Sequence, residues 1–233
     1  MWNYTDFALM KGLTPYIGLP AFDPIVRFIS NSNLFKGLPI MGLIWFFWFR
    51  DANGQAGNRR LIIATLIGSL VSLLIARAVN NIAPHRFRPL VEPALDYQRY
   101  INLGVPEWVT NESSFPSDHA TLFFALATGL FLISRKTGLL VYLYVLLVIA
   151  LPRVYLGLHY PTDIAVGAVL GIGGVAFTTR RRVSKLYDAR CASLLDKYPA
   201  AFQAALFLVS IEIALLFDDV RDLVHGVFKY FSM

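Results

Sequence analysis

Apolar residues gather in six long runs, 38–49, 61–79, 119–134, 138–156, 162–179 and 200–217, separated by polar connections. Most approach the ~20 residues that carry a helix across hydrocarbon. The pattern therefore predicts an all-α polytopic membrane bundle of about six transmembrane helices. The first run is short unless it begins near Leu34, which asks Lys36 to snorkel toward the headgroups. Residues 1–33 have a different pattern, interrupted by Asp6, Lys11, Asp23 and Arg27 and punctuated by Pro15, Pro20 and Pro24. With Trp2, Tyr4 and Phe7 suited to the headgroup layer, this segment reads as interfacial or re-entrant, a seventh span being the rival reading.

Between the first two spans, 51–60 reads as a polar hairpin. The connection 83–116 is much longer and carries Tyr97, Tyr100 and Trp108 beside the acids Glu92, Asp96, Glu107 and Glu112. It is too long for a tight turn and too aromatic for a free linker, so it is expected to fold over the bundle as a cap.

Composition fixes the solvent. Of 233 residues, 56% are hydrophobic and 14% aromatic, and the mean hydropathy is +0.55, outside the range of soluble domains. One integral membrane domain over 1–233 is the expectation. The single cysteine, Cys191, can form no intramolecular disulfide, so helix packing alone holds the chain together. No cleavable signal peptide is evident in the charge-broken first 33 residues, and the first span can act as the insertion signal.

Charge then gives orientation. The connections at 50–60, 135–137 and 180–199 carry eleven cations (Arg50, Arg59, Arg60, Arg135, Lys136, Arg180, Arg181, Arg182, Lys185, Arg190 and Lys197) against Asp51, Asp188 and Asp196. The other side is nearly balanced. Positive-inside logic puts the basic connections in the cytoplasm and the remaining loops outside. The net charge of +6 is thus topological and does not imply a nucleic-acid partner.

Three polar stretches flank the spans on that outer side. In 153–163, Arg153, His159 and Asp163 put a permanent cation, an imidazole and a carboxylate at one membrane boundary, with Pro161 marking a helix start. If Asp163 accepts from one ring nitrogen of His159, the other stays unprotonated and able to attack phosphorus, while Arg153 holds the anion. A snorkelling arginine and a capping histidine are the bland alternative. In 114–119, Ser117 is a natural N-cap whose following amides form an anion cradle, and His119 could protonate a leaving oxygen. The carboxylate of Asp118 should then point away from the phosphate. An ordinary helix start is the alternative. In 81–89, Arg88 offers a planar fork beside Pro89, with Arg86 and His85 nearby. Arg77, still in the apolar run, is either at the span's end or paired inside the bundle.

Together these stretches resemble the type 2 phosphatidic acid phosphatase superfamily of integral membrane lipid phosphatases. That pattern is a lysine, six residues and Arg-Pro, then Pro-Ser-Gly-His, then Ser-Arg, five residues, His, three residues and Asp. Arg88-Pro89, Pro116-Ser117-Asp118-His119, and Arg153, His159 and Asp163 match it in order and spacing. Asn81 stands at the lysine position, able to bond a phosphate oxygen but uncharged, so Arg86 or His85 is expected to compensate. Asp118 replaces the glycine, as in a bacterial subgroup resembling undecaprenyl diphosphate phosphatases, and Pro152 replaces the serine.

The resemblance implies that His159 attacks to form a phosphohistidine, oriented by Asp163, and that His119 protonates the departing oxygen. Arg88, Arg153, Ser117, the amides near Asp118, Asn81 and Arg86 would hold phosphate, with no metal or cofactor. It also implies a lipid phosphate substrate, a polyprenyl diphosphate before phosphatidic acid or phosphatidylglycerol phosphate, and a bacterial inner membrane with the site outside. The rivals are a vanadium haloperoxidase, which the six spans argue against, and a non-catalytic lipid-phosphate binding or flipping protein. Outside the motifs, Glu212 is expected to be a packing contact, His225 a solvated tail residue, and Gly167, Gly171, Gly173 and Gly174 a close-packing face.

Overall fold

A computed structural model of the chain describes residues 4–17, 19, 21–50, 55–95, 97 and 107–217; the features predicted at Trp2, Pro20, Asp51, Asp96, Tyr100 and His225 lie outside them. Among the described residues the regular structure is entirely helical. In chain order it comprises α1 (Tyr4–Leu13), α2 (Asp23–Asn31), α3 (Asn33–Lys36), α4 (Leu38–Phe49), α5 (Gln55–Ile82), α6 (Glu107–Asn111) and α7 (Asp118–Ile133). There follow α8 (Arg135–Tyr155), α9 (Pro161–Thr178), α10 (Arg181–Lys197) and α11 (Pro199–Ala214). Of these, α5, α8 and α9 are long and apolar enough to cross a membrane, while α4, α7 and α11 are shorter apolar helices. The chain is a polytopic helical bundle, its helices at the six predicted runs.

Small residues set the centre, where α5, α7 and α9 pack on one another. A Cβ on Gly129 would lie 2.0 Å from Thr65 Oγ1, one on Gly171 2.1 Å from the Thr121 carbonyl, and one on Gly174 1.9 Å from Ser72 Oγ. Such backbone approach lets Ser72 Oγ donate to the Leu170 carbonyl at 3.0 Å and Thr178 Oγ1 to the Ala64 carbonyl at 2.8 Å. Gly167 packs on the Ser117 carbonyl, but Gly173 has nothing within 4 Å and leaves the predicted close-packing face.

Two connections differ from their sequence reading. Residues 55–60 of the predicted hairpin are the start of α5, where Arg59 Nε satisfies the Trp48 carbonyl at the end of α4 (3.3 Å). The basic connection is mostly helix α10, pinned by Arg60 to Asp188 at 2.8 Å and by Tyr187 OH to the Thr178 carbonyl at 2.7 Å. Within α8, Val145–Ala150 forms a widened π turn just before Pro152. Pro152 has no N–H to donate and its ring crowds the preceding turn, so the ladder shifts by one residue there.

At the other end a second apolar cluster forms around Met10, Leu90, Tyr97, Val109, Val154 and Tyr160. It joins the 83–116 connection to α1, α8 and the start of α9. Neither α1, of ten residues, nor α2, of nine, is long enough to cross hydrocarbon. Tyr155 OH donates to the Tyr16 carbonyl (3.0 Å) and to Asp23 Oδ1 (2.5 Å), fastening this segment to α8. Lys36 does not snorkel. It is 8% exposed, next to Gly37, whose position beside Ala214 of α11 sets α3 close against the bundle. Glu212 Oε2 is buried without a hydrogen bond among the described residues.

Candidate active site

The three motif stretches lie at one end of the bundle and are knit by their backbones. Ser114 N donates to the Arg86 carbonyl at 2.9 Å and Ser117 N to the Asp163 carbonyl at 3.2 Å. Asn80 Nδ2 donates to the carbonyls of Phe115 (2.9 Å) and Ser113 (3.2 Å). Gly157 closes the turn between α8 and α9 at φ +67°, with Tyr97 Cδ1 2.7 Å from where a Cβ would be. A side chain there would meet both backbone strain and the ring. The carbonyl of Gly157 accepts from Leu90 N at 2.8 Å, tying this turn to the Arg88 stretch.

His159 is buried in that turn, 5% exposed. Its Nδ1 lies 2.8 Å from the Ser114 carbonyl, which can only accept, so Nδ1 carries the proton. Nε2 is thereby left unprotonated and nucleophilic. The sequence pointed to Asp163 as the direct acceptor, and the structure differs: Asp163 Oδ2 is 3.8 Å from Nδ1 and accepts from Tyr160 N at 2.8 Å, as the N3 residue of α9 bonding back to the N-cap. At 3.8 Å the carboxylate acts on the ring through its charge, without a hydrogen bond. Burial lowers the His159 pKa from its ordinary value; Asp163 opposes this, and the charges of Arg88 and Arg153 add to it.

His119 is half-buried in the first turn of α7, its ring 6.2 Å from that of Phe123. The Ser117 amide, held by the Asp163 carbonyl, ties the start of this helix to the start of α9 beside His159, and Arg153, Lys36, His159 and Arg88 contribute charge around the His119 ring. Arg153, 8% exposed, ends α8 after the π turn, and its carbonyl accepts from Leu158 N at 2.9 Å. Arg88, 6% exposed, donates through Nη1 to the Leu158 carbonyl (3.0 Å) and stands 3.6 Å from Glu112. Ser117 caps α7 by accepting from Ala120 N at 3.4 Å. The Asp118 carboxylate pairs with the exposed Arg77, 2.7 Å away.

Two predicted phosphate ligands are placed otherwise. Asn81 is exposed at the end of α5, and its neighbour Asn80 turns inward to hold the Ser113–Phe115 carbonyls. Arg86 does not offer its fork to an anion from outside. Nη1 bonds Asp163 Oδ1 (2.5 Å) and Thr162 Oγ1 (3.0 Å), Nη2 bonds Asp6 Oδ2 (2.6 Å), and the guanidinium lies 4.0 Å over the Tyr160 ring. Three of its five donors are spent on these acceptors. The sequence reading missed Asp6, Thr162, the Ser114 carbonyl and Asn80. The Asn-Asn pair ending an apolar run was the one signal available for them.

Comparison with known proteins gives the family. A model of the PAP2 superfamily matches residues 59–186, more than half the chain. The chain is 30% identical over 172 residues, 74% of its length and 78% of the relative's, to the putative undecaprenyl-diphosphatase YbjG of Escherichia coli (strain K12). It is 26% identical over 155 residues (66% and 69%) to the bacitracin transport permease protein BcrC of Bacillus licheniformis. It is 25% identical over 170 residues (73% and 79%) to the undecaprenyl-diphosphatase BcrC of Bacillus subtilis (strain 168). No solved structure matches it.

Proposed function

Because the chain belongs to the PAP2 superfamily and is a membrane lipid phosphatase, we propose that it removes the terminal phosphate of a polyprenyl diphosphate, undecaprenyl diphosphate before others, through a phosphohistidine at His159. The observation that carries the reading is the 2.8 Å bond from His159 Nδ1 to the Ser114 carbonyl, which leaves Nε2 as the free base. Nε2 attacks the terminal phosphorus, the bond to the bridging oxygen breaks with its electron pair leaving on that oxygen, and His119 supplies the proton. Water then attacks the phosphohistidine, giving its proton to His119, and phosphate leaves. Arg88, Arg153, Ser117 and the amides beside Asp118 face the equatorial oxygens, where charge accumulates.

The polyprenyl tail is favoured by the relatives' names, and the apolar helices α5, α8 and α9 that flank the motif stretches suit a substrate carried on an amphiphile. The site faces away from the basic α10 side, which puts it outside the cytoplasm under the positive-inside rule. An impermeant thiol reagent that labels Cys191 in inverted vesicles and spares it in intact cells agrees with this orientation; labelling in intact cells reverses it.

The chemistry is tested by phosphate release from a detergent-solubilised polyprenyl diphosphate, phosphatidic acid and phosphatidylglycerol phosphate, by wild type and His159→Ala. Wild type releases phosphate fastest from the diphosphate and forms an acid-labile phosphoenzyme; the variant does neither. Equal release by the variant removes the hydrolase mechanism. Equal kcat/KM on all three lipids removes the substrate assignment alone.

A further inference from the structure

Asp6 is 1% exposed, although it belongs to a short N-terminal helix outside the three motif stretches. Its carboxylate is fully engaged at the site. Oδ1 accepts from Thr162 N at 3.1 Å, while Oδ2 accepts from Arg86 Nη2 at 2.6 Å and from the Thr162 hydroxyl. Through the other arm of the same guanidinium, Arg86 Nη1 holds Asp163 Oδ1 at 2.5 Å. Asp163 in turn faces the imidazole of His159 and, through its carbonyl, holds the Ser117 amide.

We propose that Asp6 is a positioning residue of the phosphatase: it fixes Arg86 in the orientation that holds Asp163 beside His159, and so makes α1 a working part of the active site. The physical reason lies in the fork. A guanidinium has two arms in one plane, and with Asp163 on one arm and the Tyr160 ring beneath, Asp6 on the second arm removes the remaining rotation. Asp6 also adds negative charge. Arg86 between two carboxylates leaves the cluster net negative, so Arg86 does not compete with Arg88 and Arg153 for the substrate's anion. Without Asp6 that arm is released, and the other arm holds Asp163 beside His159 less rigidly.

This inference rests on the hydrolase reading above, and one assay separates the two. Full-length wild type, His159→Ala, Asp6→Asn, Asp6→Glu, Arg86→Gln and the Asp6→Asn/Arg86→Gln double variant are purified in detergent. They are assayed with a short polyprenyl diphosphate, with thermal unfolding recorded beside the kinetics. Asp6→Asn is expected to lower kcat about ten- to a hundredfold with KM within about twofold, the size of effect that follows misplacing a reacting group. Asp6→Glu, which restores the charge, recovers most of kcat. In the Arg86→Gln background Asp6→Asn adds less than about twofold, because its effect runs through Arg86. Wild-type kcat in Asp6→Asn, a loss confined to KM, no recovery by Asp6→Glu, or losses that multiply in the double variant each overturn the positioning role. If Asp6→Asn is not recovered folded, Thr162→Val removes the hydroxyl's two bonds, to Asp6 and from Arg86, at nearly constant volume: about threefold loss of kcat supports the proposal and unchanged kcat overturns it. An active His159→Ala removes the hydrolase reading itself, whereas an inactive His159→Ala beside a fully active Asp6→Asn removes only the role of Asp6.

Discussion

The middle of the bundle and its motif-bearing end solve the same problem, holding helices at fixed separation, by different physics. In the middle, α5, α7 and α9 approach through Gly129, Gly171 and Gly174, and buried Leu122, Phe123 and Leu126 fill the space around them. At the end, the buried Asp6 and Asp163 and the half-buried Arg86 are each bonded to a partner far away along the chain. Steric packing is forgiving in direction and unforgiving in volume. Paired charges are the reverse, because a guanidinium or carboxylate left alone in low dielectric costs several times what a lost apolar contact does. Changes in the middle should therefore act on folding and changes at the end on chemistry, with Arg86 acting on both.

The largest effect that would break this division is at His159. His159→Ala should lower phosphate release at least about a thousandfold while the unfolding midpoint in detergent moves little; a collapse of the midpoint would make the end a folding element as well. Next is Arg86→Gln, which leaves Asp6 and Asp163 buried without their shared partner. It should cost about 3–5 kcal/mol of stability as well as activity, read by thermal unfolding and kcat together. A smaller effect sharpens the other side. Gly171→Ala, whose Cβ would meet the Thr121 carbonyl, should cost about 1–3 kcal/mol with the kcat of the folded fraction unchanged. Gly173→Ala, open to its surroundings, should stay within about 0.5 kcal/mol. The smallest is a displacement of a pH limb. Because burial lowers the His159 pKa, kcat/KM should be sustained below the ordinary imidazole value of 6.5 and fall only as pH drops through the lowered pKa, where the ring takes up its second proton. A limb above 6.5 would contradict that surrounding of the ring.

What the sequence determined alone was local: the six apolar runs, the N-cap at Ser117, Pro161 opening α9, and the motif spacings carrying Arg88, His119, Arg153 and His159. These follow from helix periodicity, capping and short-range order, which one stretch of chain settles by itself. The tertiary structure decided who partners whom. It gave the His159 proton to the Ser114 carbonyl instead of Asp163, turned Asn80 inward in place of Asn81, spent Arg86 on Asp6 and Asp163, and buried Lys36. The reason is that a buried charge or polar group takes whichever partner the packed helices bring within about 3 Å, and that neighbour can lie 80 residues or more away, as Asp6 does from Arg86. No spacing rule along the chain encodes such a distance.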